Sequence, residues 1–208
     1  MISHPVNYAN RNFRSENVTE IIEIRWHGRG GQGAKTVAEF LALVALHEGK
    51  FSQGFPEYGP ERSGAPIKGY TRISSGPIKM HSAVYNPDIV LVLDPSLLES
   101  VNVCEGLKEG GTVIINTTRS GDELRKQFPF LERKKLWTLN ADRISTDEIG
   151  RAMPNMPLLG ALVKATEVVG LESVTGDIRK EFSRKFAPRI LEGNIRSVER
   201  AYQETVTS

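Results

Sequence analysis

The run Ile21-Ile22-Glu23-Ile24-Arg25-Trp26, the turn Gly28-Arg29-Gly30-Gly31-Gln32-Gly33 and the run Ala34 to His47 stand almost end to end, with only His27 between the first two. The first run is β-prone. The last places apolar residues at Val37, Phe40, Leu41, Val44 and Ala45, the spacing of a helix with one buried face. Strand, glycine turn and helix in this order open an α/β fold. Such a turn also leaves backbone N–H groups uncovered at the helix N-terminus, where the macrodipole is positive and phosphate is favoured. The motif points to a nucleotide or another phosphorylated cofactor.

Outward from this unit, strand-like segments recur at Lys50 to Gln53, Ile67 to Ile73, Ile89 to Leu93, Thr112 to Asn116 and Leu136 to Leu139. Asp88-Ile89-Val90-Leu91-Val92-Leu93-Asp94 is apolar at consecutive positions, which predicts a central strand covered on both sides. Pro95 is placed to open a helix through Leu107, closed by Gly110-Gly111. Ser74-Ser75-Gly76-Pro77 sits between two short β-prone runs and reads as a hairpin turn. From Asp142 the pattern is helical, over Asp142 to Met153, Leu158 to Val169, Thr175 to Phe186 and Arg189 to Val206. Together these predict a three-layer αβα fold, with a mostly parallel sheet, a hairpin and a helical C-terminal part.

The 208 residues suit one domain, long enough to bury about 70 % of its unfolded surface. Residues 20–208 form that domain. Met1 to Thr19 is polar, carries Arg11 and Arg14, lacks the apolar stretch of a secretory signal, and reads as a flexible or partner-bound tail. No apolar run reaches the roughly 18 residues of a membrane span, so the expectation is a cytoplasmic protein without a membrane partner. A net charge of +2 gives no electrostatic case for nucleic acid. One cysteine, Cys104, cannot hold an iron–sulfur cluster, which takes about four thiolates. It falls on the apolar face of the expected helix, where it would be buried and inert. His4, His27, His47 and His81 lack ligand spacing and read as surface or turn residues, so no metal site is expected.

The glycine turn has two look-alikes. Gly28-x-Gly30-x-x-Gly33 fits the dinucleotide fingerprint, but the acidic residue wanted about 20 positions on, at the end of the second strand, is missing. A P-loop fails by one position: Ala34 stands where the lysine belongs, and one residue turns Lys35 by about 100° around the helix. Packing alone could require some of the glycines, yet four in six residues exceed that need. Arg29 and Gln32 add side-chain donors.

Gly54-Phe55-Pro56-Glu57-Tyr58-Gly59-Pro60-Glu61-Arg62-Ser63-Gly64-Ala65-Pro66 is a long, stiffened loop bearing Phe55, Tyr58 and an acid–base cluster. It should emerge beside the glycine turn, at the sheet edge where open α/β sheets bind ligands. A packed surface loop with a Glu61–Arg62 pair is the alternative. No nucleophile elbow and no flagged carboxylate pair exists, so no catalytic residue is assigned.

Four blocks in order carry a resemblance: Glu23 to Ala34, Phe55 to Pro66, Asn86-Pro87-Asp88, and Met153-Pro154-Asn155-Met156-Pro157-Leu158-Leu159-Gly160-Ala161. The chain resembles the gamma subunit of 2-oxoacid:ferredoxin oxidoreductases, of which pyruvate synthase is the best-known member. The resemblance implies a complex of alpha, beta, gamma and delta subunits. Such a complex decarboxylates a 2-oxoacid on thiamine diphosphate, reduces ferredoxin through [4Fe-4S] clusters and passes the acyl group to coenzyme A. It further implies that thiamine diphosphate and the clusters reside in partner subunits, and that this chain closes over the active site and helps hold coenzyme A. The candidate cofactor contacts are then Gly28, Arg29, Gly30, Gly31, Gln32, Gly33, Arg62 and Ser63. A purely structural subunit is the competing reading. Pyruvate leads as substrate, with oxalate, 2-oxoisovalerate and 2-oxoglutarate behind.

Overall fold

The computed structural model describes residues 20–57 and 64–207. The proposed tail, and Tyr58, Arg62 and Ser63 of the loop, lie outside the described residues.

The opening unit forms as its sequence dictates. Strand β1 spans Ile21–Arg29 and helix α1 spans Ala34–His47. The strand runs three residues past Trp26, because Gly28 and Arg29 still pair with Ile67 and Pro66 across the sheet. Strands β2 (Phe51–Pro56), β3 (Pro66–Ser74), β4 (Ile89–Val92), β5 (Thr112–Asn116), β6 (Lys135–Leu139) and β7 (Val206–Thr207) complete a sheet ordered β2-β3-β1-β4-β5-β6-β7. β1, β4, β5 and β6 are parallel, while β3 lies antiparallel to both β1 and β2, and β7 antiparallel to β6.

β4 is the middle strand, and its side chains alternate between two cores. Ile89 and Leu91 join one cluster with Trp26, Leu41 and Leu158; Val90 and Val92 join the other with Leu124 and Leu136. A strand buried on both faces needs consecutive apolar residues, which is why this one was visible in the sequence. The first face is covered by α1 together with α3 (Ala141–Ile149), α4 (Asn155–Thr166), α5 (Leu171–Phe182) and α6 (Pro188–Glu204). The second is covered by α2 (Gly121–Gln127) and by short turns. Ser120 opens α2 with a capping box to Glu123.

Several expectations are corrected. The hairpin is not at Ser74-Ser75-Gly76-Pro77: the Ser74 hydroxyl accepts the Gly76 N–H at 3.2 Å, which turns the chain out of the sheet. The strand that precedes β3 and pairs antiparallel with it is β2, as β1 does on the other side. The helix expected from Pro95 to Leu107 stops after a 3-10 turn, Pro95–Glu99. Asn102 accepts the Cys104 N–H at 3.0 Å, a local bond that competes with helix. Gly106 then takes φ 70, with the Tyr85 carbonyl where a side chain would stand. Cys104 is buried as expected, but on these turns. His27 is not a surface residue, for it lies buried within β1. Helices α4 and α5 begin earlier than expected. Pro157 sits in the first turn of α4, where its missing N–H costs nothing.

α4 positions the site, since its N-terminus abuts the glycine turn, and it is seated by a close crossing with α6. A methyl at Gly160 would lie 2.2 Å from the Val198 carbonyl oxygen. Gly160→Ala is therefore expected to destabilise the chain by about 1–3 kcal/mol, as overpacking does. Urea denaturation checks this, and a change below about 0.5 kcal/mol would contradict so tight a crossing.

Candidate functional site

β1 is where the chain changes faces. Its crossover helix α1 covers one side of the sheet, whereas the connection from β4 to β5 runs over the other, so a crevice opens between the carboxyl ends of β1 and β4. The glycine turn forms one lip of that crevice and Asp94 with Ser96 the other.

Within the turn, the Gln32 N–H donates to the Arg29 carbonyl at 3.1 Å. Gly31 and Gly33 take φ values of 98 and 81, in the left-handed region that favours glycine. Gly33 has a second reason to lack a side chain: a Cβ there would come within 2.5 Å of Asn155 Nδ2. Gly28 is packed between Ala34 and Leu93, and the Gly30 N–H donates to the Ala65 carbonyl at 3.0 Å.

The two side chains read as donors are tied down. Arg29 Nε lies 3.2 Å from Asp94 Oδ2, its other nitrogens donate to Ser96 Oγ at 2.9 Å and to the Gly64 carbonyl at 3.1 Å. Gln32 Oε1 accepts the Arg29 N–H at 2.7 Å, and Gln32 Nε2 donates to Asp94 Oδ2 at 2.9 Å. Arg29 and Gln32 thus fasten the turn to the end of β4. Burial acts to raise the Asp94 pKa, but hydrogen bonds from the Ser96 hydroxyl and N–H, then Gln32 and Arg29, outweigh it and hold the carboxyl below its usual value.

The first turn of α1 remains open. Gly33 supplies no side-chain cap and no acidic residue stands in the first turn, so the N–H groups of Ala34, Lys35 and Thr36 carry the positive end of the dipole uncompensated. Gly31, Gly33 and Thr36 form one wall of a cleft of about 310 Å³.

The rest of the sequence-read site divides. Phe55 belongs to β2, where it is half-buried, its ring packing 5.3 Å from Tyr70 and lying beneath the Arg72 guanidinium. Glu57 accepts from Tyr70 Oη at 3.0 Å and pairs with Lys68 at 3.1 Å. His27 accepts from Arg25 Nε at 3.0 Å; burial, then the charges of Arg25 and Lys68, push its pKa down to about 3 and keep it neutral. Asp94 and Ser96 escaped the sequence reading, although Asp-Pro-Ser is the signature of a capped turn and Asp94 does accept the Ser96 N–H at 3.0 Å. Burial raises the Cys104 thiol to about 11. One buried thiol does not fit an iron–sulfur cluster. Among the described residues no group of three or more His, Cys, Asp and Glu is placed to hold a metal, and no helix is long and apolar enough to cross a membrane.

The model of the pyruvate ferredoxin/flavodoxin oxidoreductase family matches residues 23–204. The chain is 45% identical over 186 residues to the pyruvate synthase subunit PorC of Thermotoga maritima, covering 89% of this chain and 95% of that protein. It is 46% identical over 188 residues to the pyruvate/ketoisovalerate oxidoreductases common subunit gamma of Thermococcus kodakarensis, covering 89% and 98%. The crystal structure of the Thermotoga maritima pyruvate oxidoreductase subunit PORC superposes with a TM-score of 0.80 at 42% identity, over 90% of this chain and 98% of that one. The chain belongs to the pyruvate ferredoxin/flavodoxin oxidoreductase family, among the gamma subunits of these multi-subunit enzymes.

Asp94→Asn tests the fastening of the turn. Because the folded pKa of Asp94 is depressed, its stabilisation is complete above the unfolded value of about 3.9 and is lost as pH falls through the folded one. The deficit of Asp94→Asn against the unaltered chain, from urea midpoints, should be constant near neutrality and shrink below about pH 4. A deficit unchanged down to about pH 2 would show that the charge of Asp94 does not hold the turn.

Proposed function

We propose that this chain is the coenzyme-A-contacting subunit of a thiamine-diphosphate-dependent pyruvate:ferredoxin oxidoreductase. The observation that carries the reading is the open N-terminus of α1 beyond Gly33, with the glycine turn on the wall of a cleft. A diphosphate accepts hydrogen bonds from such N–H groups and is stabilised by the dipole. Arg29 and Gln32 serve by holding the turn, and the peptide N–H groups of Gly31, Gly33 and the first turn of α1 meet the ligand. Arg62 and Ser63, which lie outside the described residues, are proposed to extend this contact.

Thiamine diphosphate, between the alpha and beta subunits, supplies the decarboxylation chemistry, and [4Fe-4S] clusters of the beta and delta subunits carry the electrons to ferredoxin. The residues of this chain bind and orient coenzyme A and close the site against water. Choice of 2-oxoacid rests with the partners. A gamma subunit named as common to pyruvate and ketoisovalerate oxidoreductases supports this division, since one such chain serves two substrates there. The assembled enzyme works in the cytoplasm.

Gly31→Val tests the reading, because a Cβ at Gly31 meets nothing within 4 Å among the described residues and would stand in the proposed ligand space. In the assembled complex the KM for coenzyme A should rise about tenfold or more, the worth of a charge-assisted hydrogen bond. Decarboxylation assayed without coenzyme A should be little changed. The φ of 98 adds strain, so thermal unfolding of the variant is measured alongside. A folded, assembled variant with unaltered coenzyme A dependence would leave the turn a packing device. The purified chain alone should reduce no viologen with pyruvate, thiamine diphosphate and coenzyme A; turnover would sink the subunit reading.

A further inference from the structure

At the end of the sheet away from the glycine turn, the start of β1 and the end of α4 enclose a second recess, of about 320 Å³. Ile22, Ile73 and Val168 give it an apolar wall, and Glu20 and Glu167 stand on its rim. Both glutamates are exposed, and neither side chain has a hydrogen-bond or ion-pair partner among the described residues. Lys50 also lines the recess, but its charge is engaged: Nζ lies 2.8 Å from Glu48 Oε2 and donates to the Val168 carbonyl at 2.6 Å. The negative end of the α4 dipole falls at the same rim. Lys164, the basic residue of the last turn of α4, stands over the Tyr202 ring at 4.9 Å. An apolar wall under unanswered negative charge suits an occupant that is both apolar and cationic.

Glu167 carries a second sign. It ends α4 with φ 53, a left-handed conformation that helix ends usually give to glycine. A side chain there strains the backbone, and strain kept beside a cavity points to a task for that side chain.

The sequence supplies a matching segment. Arg11-Asn12-Phe13-Arg14 places one aromatic ring between two cations, and Glu16 is the one acidic residue before Glu20. Phe13 stands seven residues before Glu20, a length of chain that spans up to about 23 Å. Ser15 and Asn17, both turn formers, lie between them. So short a tether gives an effective concentration on the order of millimolar, at which weak contacts suffice.

We propose that the segment Arg11 to Arg14 of this same chain docks in the recess, with Phe13 against Ile22, Ile73 and Val168 and with Arg11 and Arg14 paired to Glu20 and Glu167. The inference is independent of the coenzyme A reading. The docked segment straps the start of β1 to the end of α4. The other end of α4 sets Asn155 against Gly33, so the strap braces the helix that positions the glycine turn.

Chymotrypsin cleavage of the full chain between Phe13 and Arg14, followed by mass spectrometry, tests the docking. Each rate is divided by that of a free peptide of residues 8–19 of the same sequence, which removes the effect of the substitutions on the protease itself. Glu20→Lys/Glu167→Lys should speed cleavage about fivefold or more, and 1 M salt should speed cleavage of the unaltered chain. Adding Arg11→Glu/Arg14→Glu to that variant restores opposite charges and should restore the slow rate. Glu167→Gly removes the carboxylate and the strain together, so it should speed cleavage about twofold or more without lowering the urea midpoint. A Phe13 bond cut as fast in the unaltered chain as in Glu20→Lys/Glu167→Lys would overturn the proposal, as would a charge reversal that restores nothing. Protection that appears only in the assembled complex would overturn it too, by giving the segment to a partner subunit.

Discussion

A guanidinium–carboxylate contact across the crevice, Arg29 to Asp94 at 3.2 Å, organises the functional end of this molecule. The crevice exists because β1 and β4 send their connections to opposite faces of the sheet, and strand ends that part in this way leave backbone groups without neighbours. Arg29, Gln32 and Ser96 gather on one carboxylate and join the two ends again. The turn between them is thereby fixed in a shape that two left-handed glycines allow. With the side chains so engaged, the groups left open at this end are peptide N–H groups, which cannot swing away and which carry the helix dipole.

This changes the chemical sense of the motif. Arg29 and Gln32 look like phosphate donors when read along the chain, since nothing local shows Asp94 coming within reach of both. In space they are the frame, and the glycines with the first turn of α1 are the contact surface we propose. Arg151 and Lys185, which meet no carboxylate among the described residues, stand on segments that helix packing brings round to the same cleft.

How much was legible follows from the range of the interactions involved. α1 keeps the boundaries its apolar spacing gives, and β4 was readable as the middle strand because burial on both faces leaves no room for polar residues. The mixed sheet was legible, but the antiparallel pairing of β2 with β3 was not, while the Ser-Ser-Gly-Pro signal at 74–77 only ends a strand. The helix after Pro95 failed on one Asn102 side chain and on a backbone approach to Gly106, a contact between distant segments that no local pattern carries. His27 failed likewise, since only the pairing of β1 with its neighbours shows that its position is covered. The strand, glycine turn and helix were legible as a shape, but the engagement of Arg29 and Gln32 was not, because Asp94 arrives from the end of another strand.

The central claim is that backbone N–H groups at the glycine turn and the start of α1 meet the phosphates of coenzyme A. Hydrogen exchange of the assembled complex, followed on peptides spanning residues 28–37 with and without coenzyme A, addresses it most directly. The account predicts that coenzyme A slows exchange at Gly31, Gly33, Ala34, Lys35 and Thr36, while Gly30, already bonded to Ala65, changes little. Exchange at these amides that is indifferent to coenzyme A would contradict it.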